Sequence, residues 1–186
     1  MTTLSRPFAA RTAGVLITFE GPDGSGKSTQ IERLAELFLM LAQRAQHVAE
    51  KIRPWLEAGR VVLCDRFIDA SVAYQGYGRG LGFCLVETLN AHATGHIVPD
   101  LTLLLDVPPH IGLGRIGDRR GDRFERENHE FHERVRQGYL ALMRRSPRFR
   151  RIDAARAVDA VAADIADVVL GFLAARERLP LAAGSA

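Results

Sequence analysis

The 186-residue chain reads as an α/β fold built on an open, mostly parallel sheet, and three observations predict it. Short β-rich apolar runs alternate with segments of helical rhythm, the pattern of strands joined by helical crossovers. Two of those runs are apolar almost throughout, as strands covered on both faces are. A glycine-rich turn links the first run to the first helix, at the sheet edge where such folds bind ligands.

In chain order, Gly14 to Glu20 (GVLITFE) predicts the first strand, and Ser25 to about Arg53 the first helix. Arg60 to Asp65 (RVVLCD) and Leu101 to Val107 (LTLLLDV) predict central parallel strands. A weaker fourth, Phe149 to Asp153 (FRRID), precedes a helix from Val158 to about Ala175. Glu20-Gly21, Asp65-Arg66, Asp106 to Pro108 and Asp153 then fall on one edge, at the carboxyl ends of the strands. The length suits one domain, residues 14–178, with 1–13 read as a disordered extension and 179–186 as a disordered tail.

Composition narrows the function classes. No run of about 18 apolar residues is present to span a bilayer, and the first fourteen residues lack a secretory apolar stretch, which predicts a soluble, cytoplasmic protein. Cys64 and Cys84 have no metal-type spacing, and Cys64 falls in a run read as buried strand, where a thiol behaves as a small hydrophobe. The net charge of +3 could suggest nucleic acid. However, 23 of the 25 basic residues are arginines spread along the chain, with no aromatic-lined basic stretch, so no nucleic-acid partner is expected. The two lysines are Lys27 and Lys51, and Lys27 stands inside the glycine-rich turn.

That turn, Gly21-Pro22-Asp23-Gly24-Ser25-Gly26-Lys27-Ser28, fits the phosphate-loop pattern G-x-x-x-x-G-K-[ST] between a strand and a helix. The fold class is accordingly a P-loop nucleoside-triphosphate-hydrolase-like three-layer sandwich. Glycines let backbone N–H groups turn toward phosphate oxygens, and the helix N-terminus adds partial positive charge. Gly21 through Thr29 are the candidate ATP-binding residues, with Lys27 on the β and γ phosphates and the Ser28 hydroxyl on Mg²⁺. A chance glycine-rich turn is the bland alternative. At the end of the second strand, Asp65 can hold Mg²⁺ or its water and Arg66 can clamp an acceptor phosphate. Taken alone, that pair is equally a surface salt bridge.

The phosphate loop, the Asp65-Arg66 pair and Ala73-Tyr74-Gln75-Gly76-Tyr77-Gly78-Arg79-Gly80, in this order, resemble the thymidylate kinase family. The similarity extends through Pro99 to Leu103, Asp106-Val107, Asp122-Arg123-Phe124-Glu125, Tyr139 and Ile152-Asp153-Ala154. The resemblance implies transfer of the γ-phosphoryl group of ATP to dTMP, with Mg²⁺ as cofactor. It also implies that Asp23 meets the deoxyribose 3′-hydroxyl, Arg66 the acceptor phosphate and Arg44 the thymine edge. Ser71 and Gln75 would hydrogen-bond the base, while Tyr74 crowds the sugar 2′ position. Arg115, Arg119, Arg120 and Arg123, with Gly112, Gly114, Gly117 and Gly121 around them, resemble the family's lid at about 109–124. Arg119 and Arg123 are the candidate catalytic lid cations beside Lys27 and Arg66. In an arginine-rich chain the same cluster also reads as solvated surface. Members of the family are commonly homodimers, packed through helices that here include parts of the Arg44 and Leu81 to His96 segments.

The chain departs from the family in one place. A segment carrying a second strand and an Arg-Glu-Pro-Gly-Gly loop is absent, and Gln30 runs directly through Phe38 into Leu39-Met40-Leu41-Ala42-Gln43-Arg44. The sheet is thereby short of one edge strand, and Met40 stands where the family usually has a stacking phenylalanine. With no proline or glycine between Gln30 and Arg53, a single long helix is expected. It would carry Arg44 about 25 Å from Ser28 at 1.5 Å per residue, leaving an incomplete thymine pocket. The alternative is a break near Glu32 to Leu37 that climbs back to the ligand edge. Two functions follow: a dTMP kinase, or an ATP-binding protein of that family whose acceptor phosphorylation is impaired.

Overall fold

The computed structural model describes residues 18–116 and 129–177, and the chain is α/β. Helix α1, Lys27–His47, runs without interruption through the π-helical turn Val48–Ile52 into α2, Arg53–Glu57. The long helix expected from the sequence is therefore present, with no break between Glu32 and Leu37. Helix α3, Ile68–Ser71, continues as a π-helical stretch over Val72–Gly78, and α4 spans Phe83–Thr94. Strand β1, Thr102–Asp106, is followed by α5, Pro109–Ile116, and α6, His129–Arg145. Strand β2 is Phe149–Asp153 and the last helix, α7, is Val158–Glu177.

The strands β1 and β2 pair in parallel, with Thr102 opposite Phe149 and Asp106 opposite Asp153. Two of the four expected acidic strand ends thus share one edge. Of the other two expected strands, 60–65 carries no ladder among the described residues, and Gly14 to Glu20 lies largely outside them, with only 18–20 described. A doubly covered strand is stable only when neighbours satisfy its N–H and C=O groups. Among the described residues the run at 60–65 has found no such neighbour. Its side chains turn outward, leaving Leu63 88% and Val61 69% exposed. Cys64, expected inside a strand, is exposed as well.

The core gathers Leu37 and Leu41 of α1, Val72, Val86 of α4, Leu104 of β1, Leu142 of α6 and Phe149 of β2. Each fully buried side chain of this kind contributes about 1.5–3 kcal/mol. The π-helical stretch lies tightly on α6, and Gly78 is the reason it can. A Cβ there would stand 2.7 Å from Phe131 Cε2 and 2.8 Å from Val135 Cγ2. No helix among the described residues is long and apolar enough to cross a membrane.

Candidate active site

The phosphate loop opens α1. Gly26, with φ +81°, is the helix N-cap, a left-handed conformation that suits glycine. No side chain caps this end and no acidic residue lies in its first turn, so its N–H groups and partial positive charge remain for an anion. Glu20 through Gly26, Ser28 and Thr29 are exposed. Lys27 Nζ donates to its own loop, to the carbonyls of Gly21 at 2.5 Å and Pro22 at 2.8 Å and to Ser25 Oγ at 3.4 Å. The loop is closed on its lysine, and Asp23 is exposed.

The second group of predicted residues forms a separate constellation. Segment 66–79 runs antiparallel along α1. Arg44 Cζ lies 5.9 Å from the Phe67 ring, Gln75 Nε2 donates to Glu36 at 2.8 Å, and Arg33 donates to the Arg79 carbonyl at 2.9 Å. Arg66 takes φ +58°, a strained value for a side-chain-bearing residue, and strain of that kind concentrates at functional positions. Its guanidinium lies 5.0 Å from the Tyr74 ring centroid, with Nη2 3.5 Å from the Tyr74 hydroxyl. Tyr74 in turn meets Phe131 and Tyr139 edge-on at 6.0 and 6.5 Å. Burial, then the neighbouring Tyr74, pushes the Tyr139 hydroxyl well above its ordinary pKa, so it stays protonated.

Arg44 is held on the opposite side by Asn90, whose Oδ1 accepts from Nη1 at 2.5 Å while its Nδ2 donates to the Ile68 carbonyl at 3.1 Å. Burial lowers the Arg44 pKa, with Cys64 and Asp69 opposing it. Asp69, 7% exposed, pairs bidentately with Arg148 at 2.6 and 2.8 Å, tying this segment to the start of β2. A cleft of about 330 Å³ lined by Ile68, Asn90, Leu142 and Phe149 opens near that end, away from the acidic strand edge.

The structure therefore brings Arg44, Arg66, Ser71, Tyr74 and Gln75 onto one segment and its α1 neighbour. It does not bring them to the phosphate loop. Along α1, Glu36 stands about 13 Å from Lys27 and Arg44 about 25 Å at 1.5 Å per residue. The distance of Arg44 from the loop along α1 is as expected for one long helix, and Arg44 sits beside the other residues expected on the acceptor side. Ser28 and Asp65 carry oxygens of the kind that Mg²⁺ takes together with phosphates. They lie on the two separated parts. Arg119 and Arg123 fall outside the described residues. Arg115, at the start of the expected lid, donates to the carbonyls of Ala154 at 2.6 Å and Ala155 at 2.8 Å.

Sequence reasoning missed Glu36, Asn90 and the pair Arg136 and Arg151. Both of those arginines converge on Asp106, with Arg136 at 2.7 and 3.0 Å and Arg151 at 2.6 and 2.9 Å. Glu36, a carboxylate between Leu34 and Leu37 on the packed face of α1, was the one with a readable signal.

A phosphate loop at a helix start, an aspartate-arginine pair and an aromatic-lined polar segment define a nucleotide-dependent phosphotransferase, of the nucleoside monophosphate kinase class. A family model described as thymidylate kinase matches residues 30–165. The thymidylate kinase of Solidesulfovibrio magneticus is 46% identical over 205 residues, covering 83% of this chain and 98% of its own. That of Desulfovibrio desulfuricans is 42% identical over 214 residues, covering 88% and 99%. That of Thermosynechococcus vestitus is 50% identical over 145 residues, covering 77% and 60%. The chain belongs to the thymidylate kinase family. In the first comparison 83% of 186 residues is about 154, against 205 aligned, so about 50 aligned positions have no counterpart here.

Proposed function

We propose that the protein transfers the γ-phosphoryl group of ATP to dTMP, in the cytoplasm, on a P-loop sandwich that is short of one edge strand. The observation that carries the reading is the constellation of Arg66, Tyr74, Gln75 and Arg44, assembled on one segment in a chain of this family. Lys27 and the backbone N–H groups of residues 21–29, Pro22 excepted, hold the triphosphate, and Arg66 clamps the acceptor phosphate. Ser28 and Asp65 would hold Mg²⁺, which neutralises charge on the β and γ oxygens. Asp23 takes the sugar hydroxyl, Ser71 and Gln75 the base, and Arg119 and Arg123 close over the transferred group. A homodimer packs through the faces of α1 and α4.

A second reading, ATP binding with impaired acceptor phosphorylation, is favoured by the separation of about 13–25 Å along α1 between loop and acceptor residues. In-line transfer needs reacting atoms about 3–3.5 Å apart, so turnover requires α1 to bend or the loop to travel. ADP release with Mg·ATP, comparing dTMP, dUMP, dCMP, UMP and no acceptor, decides between them. Stimulation by dTMP that Lys27→Ala abolishes supports the kinase. Nucleotide binding without stimulation supports the second reading.

A further inference from the structure

We propose that Glu36 is a positioning residue that fixes the direction of the Gln75 amide and thereby makes the acceptor site select pyrimidines bearing a ring N–H. The inference rests on the reading of segment 66–79 as the nucleoside monophosphate site. Gln75 is 1% exposed and its Nε2 donates to Glu36 Oε1 at 2.8 Å, while Arg79 Nη2 lies 3.6 Å from Glu36 Oε2. A carboxylate accepts hydrogen bonds and donates none, so Gln75 can turn only its nitrogen toward Glu36. Its Oε1 is thereby left as an acceptor, and no partner meets it. One turn earlier, the Ser71 hydroxyl is in the same position, on a residue 2% exposed. Two orphaned polar atoms on adjacent turns are costly to keep and mark where a ligand supplies the missing partners.

What they accept follows from their chemistry. Thymine and uracil present a ring N–H between two carbonyl oxygens, so the N–H can satisfy Gln75 Oε1 and the Ser71 hydroxyl can donate to a flanking oxygen. Cytosine presents a ring nitrogen lone pair at that place, which faces the Gln75 oxygen lone pair to lone pair. A buried site built for one pattern rejects the other, because mismatched groups stay unpaired. Glu36 holds that pattern: without a carboxylate behind it, the amide can turn over and offer its N–H₂ to cytosine.

The test is equilibrium binding of dTMP, dUMP and dCMP to the full chain without ATP, so that the position of the phosphate loop does not enter. The wild type is expected to hold dTMP and dUMP about tenfold or more tighter than dCMP. Glu36→Gln, equal in size but able to donate, should bring the ratio toward one, and Glu36→Asp, which keeps the carboxylate, should keep the order. Equal weakening of all three nucleotides in Glu36→Gln would assign Glu36 a purely structural role and overturn the inference, as would an unchanged ratio. A wild type that binds none of the three would overturn the acceptor reading itself, and this inference with it.

Discussion

The donor loop and the acceptor segment are held by different means. The acceptor segment is tied down throughout its length. Gly78 lies against α6, Asp69 is bound to Arg148, Gln75 meets Glu36, and Phe67 stands beside Arg44. The donor loop is bonded to itself through Lys27, and among the described residues the first tertiary hydrogen bond along its helix is that of Arg33. One helix therefore carries both parts, with its buried residues Leu37 and Leu41 beside the acceptor segment and none in its first turns. A helix is a rigid spacer, so its less packed end is the freer of the two.

The largest expected effect lies on the donor side. Lys27→Ala should lower dTMP-dependent ADP release by about 10³-fold if Lys27 is, as proposed, the cation that meets the transferred phosphoryl group. Affinity for dTMP, measured without ATP, should not change, and a parallel loss would show that the two parts already act as one. On the acceptor side, Asp69→Asn leaves Arg148 half-paired at a nearly buried site. It should cost about 3 kcal/mol in chemical denaturation, with dTMP binding lost before ATP binding. A flexible Gly-Ser insertion between Glu32 and Arg33 would uncouple the loop from α1, and about a tenfold rise in turnover is expected as reacting groups gain approach. Unchanged turnover would show that α1 is not what separates the two parts.

Smaller effects probe the scaffold. The hydrogen bond from Arg136 holds the Asp106 carboxyl below its ordinary range, burial opposes this, and Arg151 adds to the lowering. With the folded value below the unfolded one, the contribution is complete above about pH 4 and is lost as pH falls through the folded pKa. The stability gap between wild type and Asp106→Asn should accordingly be constant near neutrality and narrow below about pH 4 in urea titrations. Leu63→Lys should alter stability by no more than about 0.5 kcal/mol, whereas Leu104→Ala, on a paired strand, should cost about 2–5 kcal/mol. Similar losses in both would place residues 60–65 in a buried strand after all.

Much of this was legible in the sequence. Strand β2 has the bounds its FRRID run suggests, β1 lies within LTLLLDV, and the lack of glycine or proline after Gln30 foretold the unbroken helix. The run RVVLCD misled, because apolar character states what a strand would bury, while a ladder requires a neighbour that only the fold supplies. Cys64 misled for the same reason. The site was half legible. The aspartate beside it picked out Arg66, and the family resemblance picked out Tyr74 and Gln75, which lie on one continuous helical stretch. Glu36 meets Gln75 across 39 residues of chain, a relation that no local pattern encodes. Helical rise gave the correct distance between Arg44 and the loop, but which end of the helix lies beside the acceptor segment depends on packing against α4 and α6.

Among the described residues, Val61 and Leu63 expose apolar side chains on a run without a ladder, and Leu105 does so on a strand paired along one side. An apolar strand edge of that kind can take up a strand from a second copy, so self-association is expected to rise with concentration, as sedimentation over a dilution series would show.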